Sequence, residues 1–386
     1  MFEQRSRNAA KCKNLNKLKK MNICYRGVVH NCSGYAQLRH LFIRLARRGH
    51  HVSIIPFNSR DDIKLLYSQE LKKLENNDVK KPYISITSGI GPQLQIDPEA
   101  VYNIGHSMFE TTEIPERWVE FYNQFDEIWV PSKFCEKAFD RKNIRCRVST
   151  IPYGVDESYI THEKKSHDLF TFLSVGQWID RKGWDLLIQA YVAEFMGNYN
   201  VRLCIKTHND IKTNEQMIRE YLSTECRNAS YMPRIMIKNQ KLDEESMPFL
   251  YQEADCVIVP SRGEAFCLPL LESMALGIPV ITTNFGGQVD FVNEDVGWLI
   301  EIKQLRHLSE RLCKINAGYK NLWFAEPEID DIKKVMRYVF EHKDEVREKG
   351  KRSQELVMGT YTWEKITDYV EKRLNEICRA LGDQNE

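Results

Sequence analysis

Long apolar runs are missing from the 386-residue sequence. No stretch approaches the roughly 18 residues that a membrane-spanning helix needs. The N-terminus has no apolar h-region, so a secretory signal is not expected either. Net charge is missing too: Lys plus Arg total 55 and Asp plus Glu 54, which leaves +1. That excludes a strongly basic nucleic-acid binder as the first reading. It also excludes disorder along the whole chain, because low hydrophobicity and high net charge do not coincide. Paired cysteine spacings are absent. Eleven cysteines are scattered, an odd count, and no C-x-x-C occurs. Cys204 and Cys256 fall inside apolar strand patterns, where cysteine acts as a small hydrophobe. This is the pattern of a reduced, cytoplasmic protein, not of a disulfide framework. The two Asn-x-Ser triplets, at Asn31 and Asn228, are then chance. No G-x-G-x-x-G follows a strand, and Gly27 and Gly34 have the wrong spacing for one. That argues against an NAD-type dehydrogenase.

What is present is an ordinary globular composition, with 42% hydrophobic and 28% charged residues. At about 150 residues per domain, the length suggests two or three domains. Residues 1–20 hold seven basic side chains and one acid. They form a basic tail, expected to be solvated. A second reading is peripheral contact with an anionic membrane surface, worth roughly 1 kcal/mol per basic residue.

From residue 21 strand and helix patterns alternate. Strands are expected at 21–28, 51–57, 83–87, 101–104, 127–130 and 148–152, with helices at 33–48, 115–125 and 132–141. Residues 58–82 are polar and carry no clear pattern. After the turn-rich Ile151-Pro152-Tyr153-Gly154-Val155-Asp156 the alternation restarts. Strands are expected at 170–175, 201–205, 234–237, 256–259 and 280–282. Helices are expected at 184–193, near 213–223, at 244–252 behind an Asp243 N-cap, and at 267–276. Residues 363–381 spell one long amphipathic helix. Alternation of this kind predicts parallel sheets covered on both faces, in two doubly wound α/β halves. Ligands would lie at the C-terminal ends of the strands.

The most informative stretch runs Pro260-Ser261-Arg262-Gly263-Glu264-Ala265-Phe266-Cys267-Leu268-Pro269-Leu270-Leu271-Glu272-Ser273-Met274-Ala275-Leu276-Gly277-Ile278-Pro279-Val280. A strand ends at Pro260 and a helix begins near Cys267, with Pro269 in its first turn. The N–H groups of Ala265, Phe266, Cys267 and Leu268, with the helix dipole, form an anion site suited to a diphosphate. Glu264 precedes those donors and Glu272 lies about two turns into the helix.

This phrase, with two glutamates separated by seven residues, resembles the signature of the family-4 retaining glycosyltransferases of the GT-B fold. Further words match in order. They are Gly34 after Gly27, Met108-Phe109-Glu110, Trp129-Val130-Pro131-Ser132, the 151–156 turn, Val175 through Gly183, and Gly286-Gly287 with Asp290. The resemblance spans roughly residues 21–380. It implies two Rossmann-like domains facing across a cleft: an acceptor-binding domain at 21–160 and a sugar-nucleotide-binding domain at 161–362. The C-terminal helix, about 363–386, would cross back to the first domain, with a hinge around 157–168.

The resemblance also implies roles. Glu264 would contact the donor sugar near its reacting carbon, and Glu272 would bind the ribose hydroxyls. Lys182, helped by Arg181, would hold the diphosphate, together with the backbone N–H groups of Phe266, Cys267 and Leu268. Gly34 would leave room on the first domain's side. His106 would face the sugar, with ordinary structural packing as its other reading, and Glu110 is a second candidate for that wall. Two positions depart from the pattern. Cys267 replaces a usual glycine or serine, and Gln177 replaces an arginine that many members place on the leaving diphosphate. Glutamine brings hydrogen bonds but no charge, and Arg181 is the candidate replacement.

No Asp-x-Asp occurs to hold a metal, so Lys182, Arg181 and the helix N-terminus would act as the electrostatic stabilisers. The implied activity is metal-independent hexose transfer, with retention, from a UDP- or GDP-linked sugar. The acceptor would be a polysaccharide, a lipid-linked glycan or a protein glycan. No cofactor and no nucleic-acid partner is expected. The other reading is a sugar-nucleotide-binding protein of the same fold with weak or no turnover. The segment Leu322–Glu328 has no assigned role.

Overall fold

The computed structural model describes residues 20–31, 34–59, 64–140, 142–161, 168–208, 233–307 and 317–383, with Gln216, Ser223 and Cys313. The basic tail before Lys20, most of the expected helix near 213–223 and residues 162–167 of the expected hinge lie outside them. The chain divides into two compact units. The first comprises residues 1–109, 114–156 and 360–386; the second comprises 110–113 and 157–359.

Six parallel strands build the first unit: β1 (Asn22–Gly27), β2 (His51–Pro56), β3 (Ile84–Ser88), β4 (Tyr102–His106), β5 (Glu127–Val130) and β6 (Arg147–Thr150). Their order is β2-β1-β3-β4-β5-β6. The strands are apolar on both faces because helices cover both, as parallel sheets require. Helix α1 (Arg39–Arg47) buries Leu41, Phe42 and Leu45. A 3-10 turn at Tyr35–Leu38 precedes it, where a single helix from 33 was expected. Helix α2 (Ser68–Glu75) lies in the stretch without a clear pattern and buries only Leu71 and Leu74. Helix α3 (Lys133–Asp140) follows β5. The helix expected at 115–125 shrinks to a 3-10 turn at Glu116–Trp118 and one α-turn at Val119–Tyr122.

The second unit holds β7 (Phe170–Val175), β8 (Val201–Thr207), β9 (Ile235–Asn239), β10 (Cys256–Val259), β11 (Val280–Thr283) and β12 (Gly297–Ile300). The order is β12-β11-β10-β7-β8-β9, again parallel throughout. Helices α4 (Trp184–Phe195) and α5 (Leu268–Ala275) follow β7 and β10. The helix expected at 244–252 is a 3-10 turn at Glu244–Ser246 followed by Met247–Tyr251, and Asp243 gives it no side-chain cap. Four features of this unit go beyond the sequence expectation. They are strand β12, an antiparallel hairpin of β13 (Ile302–His307) and β14 (Trp323–Pro327), and helices α6 (Ile329–Glu341) and α7 (Lys343–Thr360). Ile332, Met336 and Val339 of α6 join the core with Leu187, Tyr191 and Phe195 of α4.

Helix α8 (Trp363–Asp383) belongs to the first unit. Its Trp363, Ile366, Val370, Leu374 and Ile377 fall at helical spacing and are buried, and it packs on α1. A parallel bridge from Val155 to Thr362 fixes its start. Among the described residues no helix is long and apolar enough to cross a membrane.

Candidate active site

In the second sheet the chain leaves β7 toward β8 on one side and returns through β10 on the other. Loops after β7 and β10 therefore diverge at a topological switch point, where open α/β sheets bind ligands. The loop after β7 carries Arg181 and Lys182 in a 3-10 turn, Asp180–Lys182. The loop after β10 carries Glu264. Gly183 (φ +68°) lets the two loops meet: a Cβ there would stand 2.1 Å from the Pro260 carbonyl oxygen. The backbone locks them together. Arg262 N–H donates to the Arg181 carbonyl at 2.7 Å, and Ser261 Oγ donates to the same carbonyl at 3.0 Å.

The result is a buried charge cluster. Glu264 is 5% exposed. Its Oε1 accepts from Lys182 Nζ at 2.6 Å, and its Oε2 lies 3.3 Å from an Arg181 guanidinium nitrogen. Burial works to raise the Glu264 pKa, but the Lys182 and Arg181 charges outweigh it and hold the carboxyl below its ordinary range. Arg181 also donates to the Gly263 carbonyl at 2.5 Å and pairs with Glu110 Oε1 at 3.2 Å. Burial opposes its charge, and Glu110 and Glu264 more than compensate. Glu110 Oε2 accepts from the Tyr319 hydroxyl at 2.7 Å. Gly263 is required here, since a Cβ would stand 2.3 Å from the Glu110 carbonyl oxygen. Two cations and two carboxylates thus balance in one group, in which Arg181 and Glu264 are buried and Lys182 and Glu110 half-buried.

Behind Glu264 the chain enters α5. The helix starts at Leu268, one residue later than expected, and Cys267 is its N-cap without a side-chain cap bond. Cys267 sits at φ +75°, a left-handed conformation that favours glycine and explains why glycine is usual there. Burial pushes its thiol pKa up, so the sulfur stays a neutral small hydrophobe. Ala265 and Phe266 are buried and Leu268 is half-buried. The first N–H groups of a helix lack intrahelical partners, which leaves this end suited to an anion. The loop of Gly286 and Gly287 closes over the site, with Gly287 N–H donating to the Glu264 carbonyl at 2.8 Å.

The remaining sequence candidates are placed as follows. Glu272 is half-buried on α5 and accepts from the Tyr251 hydroxyl at 2.6 Å. Gln177 is exposed, and its carbonyl accepts from Trp184 Nε1 at 2.6 Å. Arg181, the candidate replacement for an arginine at 177, is bound within the cluster to Glu264, Glu110 and the Gly263 carbonyl. His106 and Gly34 lie in the first unit. His106 ends β4, 1% exposed, with its nitrogens on Ser88 Oγ at 2.9 Å and the Tyr153 hydroxyl at 3.4 Å. Gly34 follows β1 in ordinary helical geometry, and a Cβ there would meet only the Met108 side chain, at 3.9 Å. The fold itself does not demand glycine there.

Sequence reasoning missed Tyr319, Tyr251 and Arg262. Only Arg262 had a signal, a cation two residues before Glu264. Among the described residues no group of three or more His, Cys, Asp or Glu is placed to hold a metal ion.

Residues 156–321 match the family model described as Glycosyl transferases group 1. A relative named lipopolysaccharide 1,2-N-acetylglucosaminetransferase, from Salmonella typhimurium, is 23% identical over 327 residues, covering 76% of this chain and 77% of its own. Among solved structures, sucrose-phosphate synthase from Thermosynechococcus elongatus superposes with a TM-score of 0.67 at 17% identity, covering 94% of this chain and 100% of its own. HepE from Anabaena, in complex with UDP and glucose, gives 0.62 at 14% identity, covering 92% and 100%.

Proposed function

We propose that the chain, a glycosyltransferase of the GT-B fold, is a family-4, retaining, metal-independent enzyme. It moves a hexose from a UDP- or GDP-linked sugar to a glycan, lipid-linked or polysaccharide acceptor. The observation that carries this reading is the buried Glu264–Lys182 pair at 2.6 Å, set directly before the N-terminus of α5.

Such a pair has a use when a sugar–phosphate bond breaks. The departing diphosphate gains negative charge, which Lys182 and the α5 N-terminus stabilise. The sugar carbon becomes cation-like, and the Glu264 carboxylate beside it lowers the cost of that charge. The acceptor oxygen attacks from the face the diphosphate leaves, and its proton passes to the departing phosphate oxygen, so configuration is retained. Glu272 takes the ribose hydroxyls, and the backbone of Ala265, Phe266, Cys267 and Leu268 takes the phosphates. The first unit takes the acceptor, with Gly34 as a contact and His106 as a neutral wall; Glu110, the second candidate for that wall, belongs to the second unit, where it pairs with Arg181. The complex of HepE with UDP and glucose supports a UDP-sugar donor, and the Salmonella relative's name supports a glycan acceptor. The basic residues 1–20 keep both readings, a solvated tail first and peripheral contact with an anionic membrane second.

A binding-only protein is the second reading. It draws support from Gln177, which is uncharged and exposed where a phosphate-binding arginine is usual. Nucleoside-diphosphate release from a panel of UDP- and GDP-sugars, with EDTA present, separates the two. We expect release from one donor, reduced on the order of 10²-fold or more in Glu264→Ala and in Lys182→Ala. Wild-type rates in either variant would sink the assignment, and loss of release in EDTA would remove metal independence. UDP or GDP raising the melting temperature without any release would favour the binding-only reading.

A further inference from the structure

Arg262 lies one residue from Gly263 and two from Glu264, yet its guanidinium points away from that carboxylate. It is 1% exposed and uses all five of its N–H donors. Nε donates to Glu326 Oε2 at 2.7 Å, and one terminal nitrogen donates to Glu326 Oε1 at 3.0 Å and Asp185 Oδ2 at 2.7 Å. The other donates to Asp185 Oδ1 at 2.8 Å and to the Asp180 carbonyl. Its backbone is bound on both sides as well: its N–H donates to the Arg181 carbonyl, and its carbonyl accepts from Ala325 N–H at 2.9 Å. Asp180 and Asp185 bracket Arg181 and Lys182 in the chain, while Glu326 and Ala325 belong to β14. One side chain therefore ties three segments together: the turn bearing Lys182, the loop bearing Glu264 and the β13–β14 hairpin. Phe324 of β14 packs into the same joint, 3.0 Å from where a Cβ on Gly263 would stand.

We propose that Arg262 is a positioning residue for sugar transfer: its two carboxylate forks, one supplied by the β13–β14 hairpin, set the Lys182–Glu264 geometry. The hairpin thereby gains a role, as the third support of the catalytic loop. A stabilising charge works only where it is held in place before the reaction, so a loosened joint weakens the transition state more than donor binding. Lysine cannot replace arginine here, since one ammonium cannot fill two planar forks. The proposal rests on the assignment of Glu264 and Lys182 to the donor.

The test compares full-length Arg262→Lys and Glu326→Gln with wild type and with Glu194→Gln, which breaks a pair with Arg337 between α4 and α6. Amide hydrogen exchange across 180–185 and 261–268 needs no donor. It should speed up about tenfold or more in the two joint variants and stay unchanged in Glu194→Gln. Exchange at wild-type rates in both, or acceleration spread evenly over the second unit, overturns the proposal. On a donor that wild type turns over, kcat should fall about tenfold with the donor KM within about twofold. A raised KM with unchanged kcat also overturns it. If Arg262→Lys fails to fold, Glu326→Gln carries both readouts, because Arg262 keeps its Asp185 fork. A wild type that releases nothing defeats the sugar-transfer reading, while the exchange rates still decide whether Arg262 sets the loop.

Discussion

His106 spends both ring nitrogens inside the first unit, on hydroxyls that can donate or accept. The edges of Tyr35 and Tyr153 close its ring from two sides, with centroids 5.9 Å away. Burial drives its pKa down to about 3, so the imidazole is neutral at any physiological pH. A consequence follows for stability. The unfolded chain binds a proton at this histidine below about pH 6.5 and the folded chain does not until about pH 3. The stabilisation is complete above the unfolded pKa and is lost as pH falls toward the folded one. Between pH 7 and pH 5 this one group should cost about 2 kcal/mol. Urea denaturation of wild type and His106→Gln at the two pH values measures it: the variant should lose about that much less on acidification. Equal losses in both proteins would mean that His106 titrates normally. Glu264 shows the opposite arrangement. It is buried as well, but two adjacent cations keep it ionised. The same strand-end logic thus yields one neutral and one charged group, and the partners decide which.

At the scale of elements, one buried carboxylate adds to the apolar packing that holds α8 on the first unit. Glu127 is fully buried on β5 and accepts from Trp129 Nε1 at 3.0 Å and Ser149 Oγ at 2.7 Å. Arg373 of α8 completes its shell, with its nearest nitrogen at 2.6 Å. Breaking such a pair from one side leaves a buried charge without its partner, so Arg373→Met should cost about 3 kcal/mol in urea denaturation with an unchanged slope. A loss under about 0.5 kcal/mol would make the pair an ordinary surface one. The helix itself was legible because its apolar residues recur at helical spacing over the whole of Trp363–Leu381. The strands were legible because continuous apolar runs between turn residues admit few other readings. Short elements were not. Helix α2 rests on two buried leucines, Leu71 and Leu74, which is too weak a period to stand out from a polar stretch. The hairpin was hidden for a different reason. In β13, Lys303, Gln304 and Leu305 are all exposed, so no apolar alternation marks the strand. Its tie to the loop bearing Glu264 is the charged pair of Glu326 with Arg262, and an ion pair between residues 64 apart leaves no local pattern. The loops after β7 and β10 were legible as words, but the burial of Arg181 between Glu110 and Glu264 was not, because Glu110 joins the second unit from an excursion of four residues.

At the scale of the whole chain, two six-stranded parallel sheets repeat one principle with different strand orders. In the first the order reverses between β1 and β3, where Gly34 follows β1. In the second it reverses between β7 and β10, and there the two loops carry Lys182 and Glu264. Each sheet therefore has one end where helix N-termini and loop backbones converge, and the second fills it with the Lys182–Glu264 and Arg181–Glu110 pairs. A nucleoside diphosphate bound there stabilises the folded state by about 2.7 kcal/mol at one hundred times its dissociation constant. Its footprint should follow from the topology. With saturating UDP or GDP, hydrogen exchange should slow at 176–183 and 261–268, the segments after β7 and β10, and in the Gly286-Gly287 turn that rests on Glu264. The strands β9 and β12 lie at the two edges of the sheet, away from the switch point between β7 and β10, so they should show only the smaller, uniform slowing that comes with global stabilisation. Protection confined to the segments after β1 and β3 would move nucleotide recognition to the first unit. That outcome would leave the fold assignment untouched and remove Glu264 and Lys182 from the donor, since the charges that justify their role would then face no phosphate.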